Sequence, residues 1–261
     1  MKYKGIVFFD SDGTLTDPVA GIKTLTEKTV ESLKKLEKNG YLAVLNTGRA
    51  RSYASAAKFF DAGIFSIGAH GVVGDEELFS KYMDRELAVR IMDFIDEIGG
   101  MVVADNPVEC YCNKIGSDTF MNWTKKFSID SSVFNNDRAK IEDRIHKMGI
   151  IFNDKSQIDL FFEKFGREVT IDIQYGTMFA DVSAGCSKGD AVSEFIDRLG
   201  VPFENTYAFG DSVNDLSMMR AVAHAIAMGD HDAALDSECE FITKSVKDEG
   251  ITFGLEHYGL I

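Results

Sequence analysis

The chain has 261 residues, of which 45% are hydrophobic and 27% are charged, and this composition is ordinary for a globular protein. Its length predicts one large domain or two smaller ones. The formal net charge of −14 argues against nucleic acid and anionic membranes as main partners, because both repel an acidic surface. The same charge disfavours long-range attraction of an anionic substrate, so a phosphate site would need local cations and backbone N–H groups.

Cysteine use and the apolar segments predict a cytoplasmic protein. The four cysteines include no C-x-x-C pair of the kind that holds zinc, and Cys110 and Cys112 are interpreted as ordinary strand residues. No stretch approaches the length of a membrane span, and the first apolar run is too short for a secretion signal. A reducing cytoplasm is the expected compartment.

The first part of the chain alternates predicted strands and helices. The apolar run over residues 6–9 indicates a strand buried on both faces. Thr24 and Glu27 have the spacing of a capping box, which predicts an amphipathic helix that ends near Lys38. A second strand over residues 41–45, a helix over about 52–60 and a short strand over 64–67 follow. This alternation indicates right-handed βαβ units and a parallel sheet.

Residues 80–185 mix helical and extended patterns. Helices are predicted over residues 85–98, 138–147 and 157–164, and strands over 101–103, 150–152, 169–173 and 177–180. The last two strands are joined by Gln174, Tyr175 and Gly176, which suit a hairpin turn. This part is therefore predicted to be an α+β insertion with an antiparallel sheet.

Residues 186–261 return to alternation. A helix opens at residues 187–190 and ends at Gly200, a strand covers 206–209, residues 210–215 open another helix, and 224–228 and 241–243 supply two short strands. The predicted fold class is α/β. Residues 1–79 and 186–261 form a Rossmann-like parallel-sheet core with helices on both faces, and residues 80–185 form an inserted α+β domain.

The most informative residues follow the first predicted strand. Asp10, Ser11, Asp12 and Gly13 stand where that strand ends, and open α/β sheets bind ligands at the carboxyl ends of their strands. Residues two apart in extended chain point to one side, so Asp10 and Asp12 can face one pocket. Asp10 is the candidate nucleophile towards phosphorus, and Asp12 is the candidate acid and base. A simple turn cluster is the structural alternative, since these residue types favour turns.

Two further groups offer donors to a phosphate. The Thr47 hydroxyl and the Gly48 N–H follow the second predicted strand. Lys188 lies at a predicted helix N-terminus, where a cation opposes the helix dipole. An anionic partner would explain that placement, and both a phosphate and Asp10 qualify.

A third acidic group lies on a strand-to-helix turn. Asp211 and Asp215 flank Asn214 there, and Asp211 could alternatively serve only as a helix cap. Oxygen ligands with few protein carboxylates suit Mg²⁺, which keeps several waters. The turn is therefore a candidate metal site.

The order of these motifs resembles that of haloacid dehalogenase superfamily phosphatases. It is similar to their Cof-type branch, in which a large α/β cap (class IIB) lies between the second and third motifs. The resemblance implies Asp10 as nucleophile and Asp12 as acid and base. It implies phosphate ligands at Ser11, Thr47, Gly48, Lys188 and Asn214, a supporting role for Asp215, and Mg²⁺ held by Asp10, the Asp12 backbone carbonyl and Asp211. Residues 1–79 and 186–261 would then be the core domain, and residues 80–185 the cap.

The chain departs from the usual family pattern at a few positions. Ser11 stands where Leu, Met or Ile is common, and Ala69, His70 and Gly71 replace the usual Asn-Gly-Ala. His70 is interpreted as a structural histidine, with contact to substrate as the alternative. These departures remove no catalytic group and bear on substrate choice.

The predicted cap offers cations for a second anionic group on the substrate, with a solvated surface role as the alternative: Arg85, Arg90, Lys114, Lys125, Lys126 and Arg167. Phe120 and Trp123 have helical spacing and are expected in its core. The leading hypothesis is a Mg²⁺-dependent phosphatase, a monomer or small homo-oligomer. It would hydrolyse a small phosphorylated metabolite, such as a sugar phosphate, through an aspartyl-phosphate. A sugar phosphomutase of the same superfamily and a non-catalytic phosphometabolite-binding protein are the alternatives.

Overall fold

The computed structural model describes residues 2–18, 20–173 and 177–261, and the chain separates into two compact units. The core unit consists of Met1–Gly48, Ala54–Phe79 and Ser187–Ile261. The inserted unit consists of Arg49–Tyr53 and Ser80–Cys186. The chain therefore leaves the core unit twice, first for a short segment and then for a long one.

The described residues form fourteen strands and seven α-helices. The strands are β1 (Gly5–Phe9), β2 (Tyr41–Asn46), β3 (Ala62–Phe65), β4 (His70–Val73), β5 (Glu76–Ser80), β6 (Met101–Asp105), β7 (Cys110–Cys112), β8 (Phe134–Asn135), β9 (Lys147–Ile151), β10 (Thr170–Ile173), β11 (Phe179–Ser183), β12 (Thr206–Gly210), β13 (His224–Ala227) and β14 (Phe241–Ile242). The helices are α1 (Glu27–Lys38), α2 (Arg85–Glu97), α3 (Asp118–Lys126), α4 (Lys155–Phe165), α5 (Lys188–Leu199), α6 (Leu216–Met219) and α7 (Gly250–His257). Among these helices, none combines the length and the apolar character that a membrane crossing needs.

The core unit is built on an eight-stranded sheet in the order β14-β13-β12-β1-β2-β3-β4-β5. The strands from β14 to β3 are parallel, and β4 returns antiparallel to β3. Strand β1 is buried along its whole length, as its apolar run predicts. Residues of α1 and α7 join the buried cluster on one face, and residues of α5 and α6 join the cluster on the other. This arrangement confirms the predicted α/β class.

Helix α1 begins two residues later than a capping box at Thr24 would require. Its N-cap is Thr26, whose hydroxyl oxygen accepts a hydrogen bond from the Thr29 N–H. The Thr26 hydroxyl also donates to Glu249 at 2.8 Å, and Thr24 is exposed. Thr26, which also contacts the distant Glu249, is therefore the N-cap in place of Thr24, and the predicted capping box is wrong.

The inserted unit contains a six-stranded sheet in the order β10-β11-β9-β6-β7-β8. Neighbouring strands are antiparallel, except for β7 and β8, which are parallel. Residues of α2 and α4 pack with one face, and Phe120 and Trp123 of α3 pack with the other. The predicted α+β insertion is confirmed. Its predicted hairpin turn at residues 174–176 lies outside the described residues, although β10 and β11 on either side pair as predicted.

Two predicted helices take other forms. Residues 138–147 contain a 3₁₀ turn at Arg138–Lys140, and Lys147 begins β9. Here the Ile145 carbonyl accepts from the Met83 N–H, and the His146 N–H donates to the Asp105 carbonyl, so these backbone groups bond to distant segments. The helix expected over 52–60 is a shorter 3₁₀ helix, Ser55–Phe59, and the residues up to Tyr53 group with the inserted unit.

Candidate active site

Asp10 directly follows β1, and its backbone N–H donates to the Phe209 carbonyl of β12 at 3.0 Å. The side chain is buried. The loop after it folds back on itself, since the N–H groups of Leu15 and Thr16 both donate to the Ser11 carbonyl at 2.9 Å. The central strand and this closed loop together fix the direction of the Asp10 carboxylate.

Gly13 allows that loop to approach the acidic turn after β12. Its φ is +100°, and a Cβ atom there would lie 2.1 Å from a carboxylate oxygen of Asp211. A left-handed conformation with no room for a side chain demands glycine. The neighbouring Thr14 hydroxyl donates to Asp211 Oδ1 at 3.0 Å, so the loop also orients this carboxylate.

Lys188 is the first residue of α5, next to the N-cap Ser187. Its side chain is only 2% exposed. The Nζ atom lies 2.5 Å from Asp10 Oδ1, 2.7 Å from Asp215 Oδ1 and 3.5 Å from Asn214 Oδ1. Of the two anionic partners expected from the sequence, the structure shows Asp10, and Asp215 is a further one.

Asp215 serves as a structural acceptor on the turn that follows β12. Its Oδ2 atom accepts from the backbone N–H groups of Asp211 at 3.0 Å and Ser212 at 3.2 Å. Its Oδ1 atom accepts from Lys188. Both oxygens are thus engaged, and the fully buried side chain holds the turn and the lysine together.

The carboxylates of this cluster repel one another in a buried environment. The pKa of Asp10 is raised to about 7, mainly by burial and then by the charge of Asp215, while Lys188 opposes the shift. The pKa of Asp211 is raised to about 8, mainly by burial and then by the charges of Asp10 and Asp215. Burial disfavours the Lys188 ammonium, but Asp10 and Asp215 raise its pKa above the ordinary value, so it stays protonated. A bound cation would relieve the remaining repulsion.

The donor set fits a small divalent cation. One carboxylate oxygen from each of Asp10, Asp211 and Asp215 lies within 4.8 Å of the others. Because Asp215 already accepts from Lys188 and two backbone N–H groups, Asp10 and Asp211 are the carboxylates available to an ion. Oxygen donors with room for water suit Mg²⁺.

The remaining predicted site residues follow β1 or β2. Asp12 is half-buried, and its backbone forms an isolated β-bridge with that of Thr16. Thr47 and Gly48 follow β2, which pairs in parallel with β1, so they lie at the same edge of the sheet as Asp10. Thr47 is buried, and its N–H donates to the Ile64 carbonyl at 2.9 Å.

Two further residues at this edge were not among the predicted site residues. Thr14 stands beside the aspartate pair, and only its contact with Asp211 shows what its hydroxyl does. Asn46 is fully buried at the end of β2, and its Nδ2 atom lies 3.2 Å from the Met218 sulfur. Its Oδ1 atom has no hydrogen-bond partner within the described residues. Nothing in the local sequence separates Asn46 from an ordinary strand terminus.

Several of the predicted substrate cations are occupied elsewhere. Arg85 pairs with Glu142 and Asp143. Arg90 pairs with Glu168. The Lys114 ammonium donates to the Gly99 carbonyl, and three further cations are exposed, namely Lys125, Lys126 and Arg167.

His70, which is interpreted from the sequence as a structural histidine, contacts neighbouring side chains of the protein. It is buried in β4, and its Nε2 atom lies 3.3 Å from a Glu77 carboxylate oxygen. Its ring centroid lies 6.0 Å from that of Phe65.

Known proteins resemble the chain over nearly its full length. YkrA of Bacillus subtilis, which carries a provisional phosphatase name, is 26% identical, and the match covers 98% of both chains. The pyridoxal phosphate phosphatase YbhA of Escherichia coli is 22% identical over 91% of this chain and 92% of its own. The solved structure of the subclass IIB sugar phosphatase BT4131 superposes with a TM-score of 0.84 at 21% identity, over 98% of this chain and all of the other, and shows the same fold.

The parallel sheet, its acidic edge and the buried lysine form a candidate active site at the carboxyl ends of the strands, where α/β enzymes bind their ligands. A family model described as haloacid dehalogenase-like hydrolase matches residues 7–255. The chain belongs to this family, and it is a phosphomonoesterase of the haloacid dehalogenase type.

Proposed function

We propose that this protein hydrolyses a small phosphorylated metabolite, a sugar phosphate or similar phosphomonoester, through an aspartyl-phosphate on Asp10, with Mg²⁺ as cofactor. The observation that carries the proposal is the position of the Lys188 ammonium between Asp10 and Asp215 at the end of β1. This contact keeps a nucleophilic carboxylate buried and oriented beside a permanent positive charge.

In the first step, a carboxylate oxygen of Asp10 attacks phosphorus, and the bond from phosphorus to the ester oxygen breaks. Asp12 gives its proton to the departing oxygen. In the second step, Asp12 takes a proton from a water molecule whose oxygen attacks the same phosphorus. The Asp10 carboxylate is then released together with inorganic phosphate.

The phosphoryl oxygens would be bound by donors on the same loops. The Thr47 hydroxyl, the Gly48 N–H and the Ser11 N–H are candidates, together with the Lys188 ammonium. The Asn214 Oδ1 atom accepts from the Ser212 hydroxyl at 2.8 Å and lies 3.5 Å from Lys188 Nζ, which leaves the Asn214 amide N–H₂ as a further donor. Preorganised donors of this kind stabilise charge that develops in the transition state.

Asp10, the Asp12 backbone carbonyl and Asp211 would hold Mg²⁺ in this proposal. When bound, the ion neutralises charge on the phosphoryl oxygens and on the carboxylates. Thr14 and Gly13 support this arrangement, because they fix the Asp211 carboxylate.

We place the reaction in the cytoplasm. All four cysteines are unpaired thiols, as expected in a reducing compartment: Cys110, Cys112, Cys186 and Cys239. A small phosphorylated metabolite is a substrate that this compartment supplies.

The test is a screen for inorganic phosphate released from a panel of phosphorylated metabolites, with Mg²⁺ and without any bisphosphate activator. Release that is lost in Asp10→Asn supports the proposal. Transfer within a sugar that requires a bisphosphate would identify a phosphomutase instead. Inertness towards the whole panel and a generic aryl phosphate would favour a binding protein.

A further inference from the structure

The chain leaves the core unit directly after the candidate phosphate-binding residues Thr47 and Gly48. Arg49–Tyr53, here called the crossing segment, groups with the inserted unit, and the chain re-enters the core unit at Ala54. Thr47 itself is held in the core unit by its N–H bond to Ile64. Gly48 is therefore the single residue between Thr47 and the crossing segment.

Most of the crossing segment is attached to the inserted unit by modest contacts. Arg49 Nη1 donates to the Phe127 carbonyl at 3.2 Å, and its guanidinium carbon lies 5.9 Å from the centre of the Phe127 ring. Ser52 Oγ lies 3.3 Å from the Cys110 sulfur. Such contacts orient the segment, but each is weak by itself.

Tyr53 makes the strongest attachment. Its ring centroid lies 5.9 Å from that of Phe134, and its hydroxyl donates to Asp105 Oδ2 at 3.2 Å. Burial, followed by the charge of Asp105, raises the pKa of Tyr53 well above the ordinary value, so the hydroxyl keeps the proton that it donates. The catalytic steps proposed above make no use of this buried contact.

Asp105 makes the attachment costly to break. It is fully buried at the end of β6, and Lys147 Nζ lies 3.9 Å from its Oδ2 atom. Lys147 is also buried and pairs with Asp181. A buried carboxylate that loses a donor cannot replace it with bulk water, so its desolvation is no longer compensated.

We propose that Tyr53 is a positioning residue for the phosphatase reaction. Its bond to Asp105 holds the crossing segment on the inserted unit and thereby fixes Thr47 and Gly48 for the phosphoryl group. This inference rests on the proposed function, because it assigns phosphate binding to the end of β2.

The protein contains its own reporter of this attachment. Trp123 is its single tryptophan. The indole lies 5.8 Å from the Phe134 ring and 6.5 Å from the Phe127 ring, which are the rings that Tyr53 and Arg49 contact. Its fluorescence should respond when ligand binding at the end of β2 shifts the crossing segment.

The experiment titrates the intact protein with orthovanadate, a phosphate analogue, in the presence of Mg²⁺. Inhibition of ester hydrolysis and Trp123 emission are recorded in wild type, Tyr53→Phe and Tyr111→Phe. The last is the matched control, because the Tyr111 ring packs on the opposite face of the same sheet. Unfolding midpoints are measured for all three, so that kinetics are compared between folded proteins.

In wild type and in Tyr111→Phe, we expect Trp123 emission to change with vanadate concentration, and the midpoint of this change should equal the midpoint of inhibition. Tyr53→Phe should bind vanadate about tenfold more weakly, lose the emission change and show a lower kcat on every ester, because a hydrogen bond to a charged group is lost. Normal vanadate affinity and a normal emission change in a folded Tyr53→Phe protein would overturn the positioning role. A wild type that neither binds vanadate nor releases phosphate would instead overturn the proposed function.

Discussion

Lys188 combines a structural role with the catalytic role proposed for it. It lies between Asp10 and Asp215, and Asp215 uses its other oxygen to fix the turn that carries Asp211. Several like charges at one sheet edge would destabilise the fold without this cation. The arrangement that orients the proposed nucleophile is therefore the one that makes its burial tolerable.

Lys188→Ala should lower kcat/KM for every phosphate ester, because its partners are common to all substrates. The free energy of unfolding should fall by about 3–5 kcal/mol, since buried carboxylates lose their counterion. Lys155→Ala is the matched control, because Lys155 is exposed and pairs with exposed Asp159. The measurements are kinetics on several esters and denaturant unfolding. A change in the ranking of substrates by Lys188→Ala would contradict the shared role.

Asp10→Asn should abolish turnover while the fold remains intact, because an amide is a poor nucleophile. The loss should be at least ~10³-fold, by analogy with other nucleophile deletions. Asp159→Asn on the exposed face of α4 controls for the loss of one carboxylate. Phosphate release and circular dichroism are measured together. Near-normal release from folded Asp10→Asn protein would rule out this nucleophile.

Removal of divalent metal should stop phosphate release, and Mg²⁺ should restore it better than Ca²⁺ does. Mg²⁺ holds its oxygen ligands in a tight octahedron at ~2.0–2.1 Å, and the larger Ca²⁺ would displace the phosphoryl group from Asp10. Initial rates after chelation and after addition of each ion provide the measurement. Full activity in excess chelator would be incompatible with a metal role for Asp10 and Asp211.

At the scale of elements, the chain's local patterns predicted most strands and the longer helices. The apolar run of β1 and the amphipathic run of α1 were sufficient to predict these two elements, because the spacing of apolar residues shows which faces are buried. Predictions from the local sequence were wrong where contacts with distant residues determine the structure. Examples are the N-cap at Thr26 and Lys147, which begins a strand where a helix was predicted.

The same distinction applies to the site. Asp10, Lys188 and Asp211 could be proposed from short motifs at strand and helix ends. The hydroxyl bond of Thr14 could not, because it depends on how the separate loops after β1 and β12 meet. The two backbone bonds of Asp215 lie within one turn, where Ser212 and Asp215 form a capping box. The excursion of Arg49–Tyr53 into the inserted unit has no sequence signal that we can identify.

The close approach of Gly13, in the loop after β1, to the Asp211 carboxylate provides a prediction about activity. Gly13→Ala should remove most activity, because the added methyl group would overlap the Asp211 carboxylate and a φ of +100° strains alanine. Gly21→Ala is the matched control, since Gly21 has a φ of +82° and nothing within 4 Å of the added atom. Both variants are compared by kcat/KM and unfolding midpoint. Equal effects would show that backbone strain alone explains the loss.

At the scale of the whole molecule, the charge balance opposes its proposed substrate. The chain has a net charge of −14 and the proposed substrate is an anion, while the described site contains one buried lysine among several carboxylates. Binding must then rely on short-range donors and the metal, while the distant field is repulsive.

Raising the salt concentration should therefore increase kcat/KM, because screening weakens long-range repulsion. The Debye length falls from about 30 Å at 0.01 M to about 8 Å at 0.15 M ionic strength. We expect a rise of up to about threefold over this range, measured at constant free Mg²⁺ with a non-binding salt. A neutral inhibitor of similar size would serve as the control. A steep fall with salt would show that a local positive field steers the substrate.

The position of β1 in the middle of the core sheet has a consequence for biosynthesis. β1 pairs with β2 on one side and with β12 on the other, and Thr206 is the first residue of β12. While a ribosome completes the intervening chain, an apolar strand has one edge without its partner, and such edges recruit strands from other molecules. The long sequence separation also delays closure of the sheet. Nascent chains that stall before Thr206 should therefore depend on chaperones, and fragments released at that stage should aggregate.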